Sequence, residues 1–109
     1  MITYSNTEPQ PITIEKRQVR VTWNARQEPV NTLDGEQETQ WVYNEAIFDV
    51  YDTREVIIRK IIASVHTIED ELALVNNRDE KPEEYAEYQE LRTTAKSIAD
   101  NWFIEKTGL

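Results

Sequence analysis

The stretch Trp41-Val42-Tyr43-Asn44-Glu45-Ala46-Ile47-Phe48-Asp49-Val50-Tyr51-Asp52-Thr53-Arg54-Glu55-Val56-Ile57-Ile58-Arg59-Lys60-Ile61-Ile62 decides the fold. Up to Val50 the side chains alternate. Val42, Ala46, Phe48 and Val50 point one way, and Trp41, Tyr43, Ile47 and Tyr51 the other, which is the period of a strand. After Asp52 the period changes. Ile57, Ile58, Ile61, Ile62 and Val65 recur at helical spacing, and Asp52 with Glu55 three residues later predicts a capping box at the helix start. A strand region that gives way once to a helical region defines an α+β chain.

Working toward the N-terminus, the strand through Trp41 begins at about Glu38, and a second strand lies in Ile12 to Trp23. There Ile12 and Ile14 alternate in one parity and Val19, Val21 and Trp23 in the other, so Lys16-Arg17-Gln18 marks a bulge or a break between two short strands. Residues 24–36 read as a polar loop with Pro29 and the turn pair Asp34-Gly35. Residues 1–11, with Pro9 and Pro11, read as an extended lead-in. The simplest sheet is an N-terminal antiparallel hairpin of Val19–Trp23 with Gln40–Asn44, two to three strands in all if Ile12 joins it. A bare ribbon is marginal, so helices or another chain must cover it.

Toward the C-terminus, Thr67 is a candidate N-cap followed by Glu69, Asp70 and Glu71, acids that the helix dipole favours in a first turn. Ile68, Leu72 and Val75 form the expected buried face of this short helix, which ends in Asn76-Asn77-Arg78-Asp79. Pro82 suits the first turn of a third helix, along which Tyr85, Tyr88, Leu91, Ala95, Ile98 and Trp102 share one side. The reading is one 109-residue domain: lead-in 1–11, β-hairpin region 12–51 and three α-helices in 52–106.

Composition limits the chemistry. Apolar residues make up 39% and charged residues 30%, polar for a globular chain but compatible with a core that includes Trp23, Trp41 and Trp102. The net charge of −9 makes nucleic acid and anionic membrane poor partners. Without cysteine there is no disulfide and no thiolate metal site. The N-terminus lacks the basic and apolar regions of a signal peptide, and the apolar stretch from Val56 to Val65 is interrupted by Arg59 and Lys60 and too short to span a bilayer. The expected site of synthesis is the cytoplasm.

Catalytic constellations lack raw material. His66 is the single histidine, the serines are Ser5, Ser64 and Ser97, and the two glycines, Gly35 and Gly108, cannot build a phosphate-cradling loop. His66 reads as a polar ring at a helix–helix junction. Glu83, Glu87 and Glu90 lie on one stripe of the third helix without the Glu-x-x-His partner of a carboxylate di-metal site, so they read as a solvated face. Asp49, Asp52 and Glu45 do not form a calcium loop. Lys16, Arg17, Arg20 and Arg26 are the one basic cluster, best accounted for by cross-strand pairing with Glu36, Glu38 or Glu45. No catalytic residue, cofactor or metal is expected, and the protein reads as a non-enzyme. What remains is surface. Trp23, Trp41, Tyr43 and Tyr51, on a ribbon too thin to bury both faces, form the candidate interaction surface.

Trp41-Val42-Tyr43-Asn44-Glu45, the helix from Arg54 to Ile62, Asp70-Glu71-Leu72-Ala73-Leu74-Val75-Asn76-Asn77, Glu84-Tyr85-Ala86-Glu87-Tyr88 and Ala95-Lys96-Ser97-Ile98-Ala99 resemble small proteins encoded beside tail genes in phages and prophages of gut Bacteroidetes. The resemblance covers about residues 38–103 and consists of sequence texture, with no catalytic motif and no site residue to carry over. It implies a tail-module accessory that binds a tail component or itself and that can be virion-associated. The rival expectation is an acidic DNA mimic that inhibits a nucleic-acid-binding protein, with Glu83, Glu87 and Glu90 at phosphate-like positions.

Overall fold

The computed structural model describes residues 2–31, 35 and 37–107. Asp34 of the expected turn and Glu36 of the expected pairing lie outside the described residues. The chain is α+β, with a four-stranded antiparallel sheet followed by three helices. It divides into two compact units at Val50/Tyr51.

The first unit is the sheet: β1 (Ile2–Ser5), β2 (Ile12–Glu15), β3 (Gln18–Asn31) and β4 (Gln37–Asp49), in the order β1-β4-β3-β2. Three expectations change. Residues 1–11 are more than a lead-in, because Ile2–Ser5 adds an edge strand to β4, with Ile2 opposite Asn44 and Ser5 opposite Trp41. The expected loop at 24–36 is largely strand, since β3 continues to Asn31 and pairs with β4 as far as Asn31–Gln37. The hairpin register also moves. Val19 lies opposite Phe48 and Trp23 opposite Asn44, so Val19–Trp23 pairs with Asn44–Phe48 and not with Gln40–Asn44.

The phase change at Lys16-Arg17-Gln18 is a break between two strands. Glu15 pairs with Gln18, leaving Lys16 and Arg17 as a two-residue turn. Lys16 takes φ 59°, a left-handed conformation that hairpin turns usually assign to Gly or Asn. A second positive φ, 56°, is at Asn24, where Asn24 and Ala25 together oppose Tyr43 and make a bulge. Asn tolerates this backbone because its short polar side chain bonds locally.

Opposed residues share a face. Val19, Val21 and Trp23 lie with Phe48, Ala46 and Asn44, joined by Ile12 and Ile14 from β2 and by Ile2 and Tyr4 from β1. On this face Val19, Val21, Val42, Ala46 and Phe48 are buried. The other face holds a polar cluster around Glu45, which is buried. Arg20 Nε meets its Oε1 at 2.5 Å, and Thr3 Oγ1 donates to its Oε2 at 2.7 Å. A buried carboxylate is tolerable when both oxygens are satisfied, and here one side chain links β1, β3 and β4.

The second unit contains α1 (Arg54–Ala63), α2 (Ile68–Asn76) and α3 (Pro82–Thr107). The N-cap of α1 is Thr53, whose hydroxyl accepts from the Val56 amide at 3.3 Å, and not Asp52. Asp52 instead accepts from Lys60 Nζ at 2.5 Å. Thr67 caps α2 as expected, in a reciprocal box: its hydroxyl accepts from the Asp70 amide at 3.1 Å, while the Asp70 carboxylate accepts from the Thr67 amide at 3.3 Å.

Helices α1 and α3 pack together, and their buried side chains are Ile57, Ile61 and Ile62 with Tyr88, Ala95, Ala99 and Trp102. The small Ala95 and Ala99 let a bulky isoleucine row approach closely. A fork from Arg54 to Asp100, at 2.7 and 3.5 Å, ties the start of α1 to α3. The hydrogen bond and charge of Arg54 hold the Asp100 carboxyl below its usual value, and Asp100 raises Arg54 in return.

Candidate interaction surfaces

Within the sheet, the aromatic residues proposed from sequence fall on two faces. Register places Trp23 on the face of Val19 and Val21, with Trp41 and Tyr43 on the opposite face beside the Glu45 cluster. All three are half-buried. Tyr51 belongs to the second unit and is 72% exposed, with the Lys106 ammonium 5.8 Å from its ring centroid. Of the three in the sheet, Trp41 and Tyr43 are neighbours in one strand and on one face, and Trp23 is on the other.

The basic cluster is taken up largely by ion pairs. Arg20 pairs across strands with Glu45 as expected, Arg17 pairs with Asp49 at 3.3 Å, and Arg26 pairs along its own strand with Glu28 at 3.0 Å. His66 sits at the α1–α2 junction, its ring edge-on to Tyr88 at 5.9 Å. It lines a cleft of about 270 Å³ with Asp70, Leu74, Asn77, Lys81 and Glu84. Asp70 is committed to the capping box, and Lys81 lies 3.9 Å from Glu84. Among the described residues no group of three or more His, Asp or Glu could hold a metal ion, and no helix is long and apolar enough to cross a membrane.

The clearest departure from expectation is α2. Its supposed buried face points outward: Ile68 is 65% exposed and Leu72 58%, with Val75 exposed beside them. No residue of α2 is buried; the half-buried positions are Glu71 and Leu74. The helix thus rests on α3 along its 71–74 side and presents an unpartnered apolar stripe two turns long.

Beside that stripe runs a second cleft, of about 380 Å³, lined by Glu55, Ile58, Arg59, Ile62, Glu71, Tyr88, Arg92 and Lys96. The Arg92 guanidinium lies 6.0 Å from the Tyr88 ring centroid. Burial pushes the Tyr88 phenol up, the Glu71 charge adds to that, and Arg92 pulls it back. Arg59, Arg92 and Lys96 make no ion pair among the described residues. Sequence reasoning missed this cluster because Arg59 and the Arg92/Lys96 pair come from different helices. The one local signal was that Arg92 and Lys96 are four apart on a helix, hence on one face.

Comparison of the chain with protein-family models, with curated proteins and with solved structures finds no match.

Proposed function

We propose that the protein is a non-enzymatic protein–protein interaction module whose principal docking surface is the outward stripe of α2. The observation that carries this reading is the exposure of Ile68, Leu72 and Val75 on a properly capped helix. Isolated exposed apolar residues are ordinary, but three on one face of one helix form a contiguous patch of the kind that marks an interface. Full burial of a leucine-sized side chain is worth about 1.5–3 kcal/mol, and a partner gains from each the fraction still exposed, 65% for Ile68, 58% for Leu72 and 39% for Val75. The sheet supports the same reading, because short β1 covers β4 only from Trp41 to Asn44, and uncovered edge backbone accepts an added strand. The resemblance of residues 38–103 to phage and prophage tail-module proteins, which rests on sequence texture alone, makes a tail component the proposed partner.

Light scattering of the purified protein, alone and mixed with the products of adjacent genes, tests this. A complex that Leu72→Asp abolishes is the expected result. A strict monomer that binds none of them overturns it.

The DNA-mimic reading keeps one observation in its favour. Glu83, Glu87 and Glu90 are all exposed on α3 and make no ion pair among the described residues. Joint replacement of these three by Gln separates the two readings: complex formation through α2 survives it, whereas inhibition of a basic nucleic-acid-binding protein does not.

A further inference from the structure

Arg59, Arg92 and Lys96 form an excess of unpaired positive charge in a molecule of net charge −9. Two acids, Glu55 and Glu71, share the cleft, so cations outnumber carboxylates there. The His66 cleft has the reverse balance, with Asp70 and Glu84 against Lys81. Arg54, Lys60 and Lys81 each have a carboxylate partner in the same unit. Arg78 likewise makes no ion pair among the described residues, but Arg59, Arg92 and Lys96 are gathered in one cleft, which the apolar Ile58, Ile62 and the Tyr88 ring also line.

Glu71 lines the cleft and stands three residues after Ile68 and four before Val75, so at helical spacing it lies between the α2 stripe and the cleft. The combined surface thus has apolar side chains along two helical turns of α2 and, across Glu71, the cations of the cleft. Arg92 and Lys96 are one turn apart, roughly 6 Å along the axis at 1.5 Å per residue. Carboxylates one turn apart on another helix have the same spacing.

We propose that this surface binds an acidic amphipathic helix of a partner protein, its apolar side chains on Ile68, Leu72 and Val75 and its carboxylates on Arg59, Arg92 and Lys96. The inference rests on the interaction-module reading and supplies the chemistry of the partner. A second copy of this chain offers two acidic stripes: Glu83, Glu87 and Glu90 on α3, with only Ala86 between and no large apolar side chain, and α2 itself, where Glu69, Asp70 and Glu71 accompany Ile68, Leu72 and Val75; self-association through α2 is therefore the competing outcome that the test separates from a partner protein. Because the molecule as a whole carries a net charge of −9, the attraction rests on these local cations, which favours selectivity over tightness.

The test uses the full chain and a labelled synthetic peptide with Leu at i, i+4 and i+7 and Glu at flanking positions four apart. Its analogue with every Glu replaced by Lys and a scrambled peptide serve as controls, read by fluorescence anisotropy. The Glu peptide is expected to bind, with added salt weakening it. Arg92→Glu with Lys96→Glu, and separately Leu72→Asp, should each weaken binding by at least about tenfold. Circular dichroism checks that the variants fold, and the milder Arg92→Gln/Lys96→Gln pair replaces the reversal if it does not. Equal or tighter binding of the Lys peptide overturns the proposal. So does occupation of the groove by inorganic phosphate without peptide binding, and so does self-association that Leu72→Asp abolishes while no peptide binds. Failure of every peptide sinks the acidic partner alone; the interaction-module reading stands or falls separately, on complex formation with the neighbouring gene products.

Discussion

At the residue scale, Lys16 occupies a backbone conformation that its side chain opposes. With φ 59° in a two-residue hairpin turn, its Cβ crowds the following carbonyl, a cost of about 1–2 kcal/mol that glycine avoids. Glycine also enlarges the conformational freedom of the unfolded chain, which removes part of that gain. Lys16→Gly should therefore stabilise by about 0.5 kcal/mol, and Lys16→Val, β-branched, should destabilise by more than about 1 kcal/mol. Urea unfolding of the two variants reads the difference; equal midpoints would show that the turn carries no strain. Glu45 is the contrasting residue. It is buried and charged, yet Arg20 and Thr3 answer both of its oxygens, so it orders the edge strand instead of straining it.

At the element scale, Thr67 sets whether the docking stripe exists in a defined shape. A helix of nine residues is too short to hold itself together in water, and α2 has no buried side chain to anchor it. Its capping box stands in for some of that. Thr67→Ala should cost about 1 kcal/mol, concentrated in α2. Faster amide exchange at Glu71 and Leu72, with the α1 and α3 amides unchanged, is the expected pattern; a uniform change across all three helices would contradict it.

Much at this scale was legible in the sequence, because local signals decided it. The Thr67 cap, Pro82 in the first turn of α3 and the change of period after Val50 each needed only their neighbours. The misreadings came where local pattern is silent. A shift of β3 against β4 by four residues preserves every face, so Val19 opposite Asn44 and Val19 opposite Phe48 satisfy the same alternation. The outer half of β3, from Asn24 to Asn31, has no apolar alternation and is strand because its backbone pairs with Gln37–Val42. Ile2 and Tyr4 are too few to announce β1. For α2, the sequence showed that Ile68, Leu72 and Val75 form a stripe; a periodicity cannot say whether a stripe faces inward, and only the packing of Glu71 and Leu74 toward α3 settled that. The paired Arg59 and Arg92/Lys96 belong to the same class of unreadable fact, since they meet across helices.

At the scale of the whole molecule, charge dominates. With 21 acidic and 12 basic residues, self-repulsion opposes compactness, while the recorded ion pairs are mostly exposed and each contributes little. Screening should therefore relieve more than it removes. Raising sodium chloride from about 20 mM to about 200 mM, which shortens the Debye length to near 7 Å, should raise the melting temperature by a few degrees. A lowered melting temperature would mean that the ion pairs outweigh the diffuse repulsion.

The placement of the tryptophans also gives the molecule two optical reporters. Trp102 is the one indole in the helical unit and is fully buried, whereas Trp23 and Trp41, half-buried, belong to the sheet. A Trp23→Phe/Trp41→Phe protein emits from the helices alone, and a Trp102→Phe protein from the sheet alone. Acrylamide, being neutral, samples both without the electrostatic exclusion that iodide meets on an anionic surface. Fluorescence of the two single-unit proteins would show whether sheet and helices lose structure in one transition or in succession, and which of them a partner disturbs.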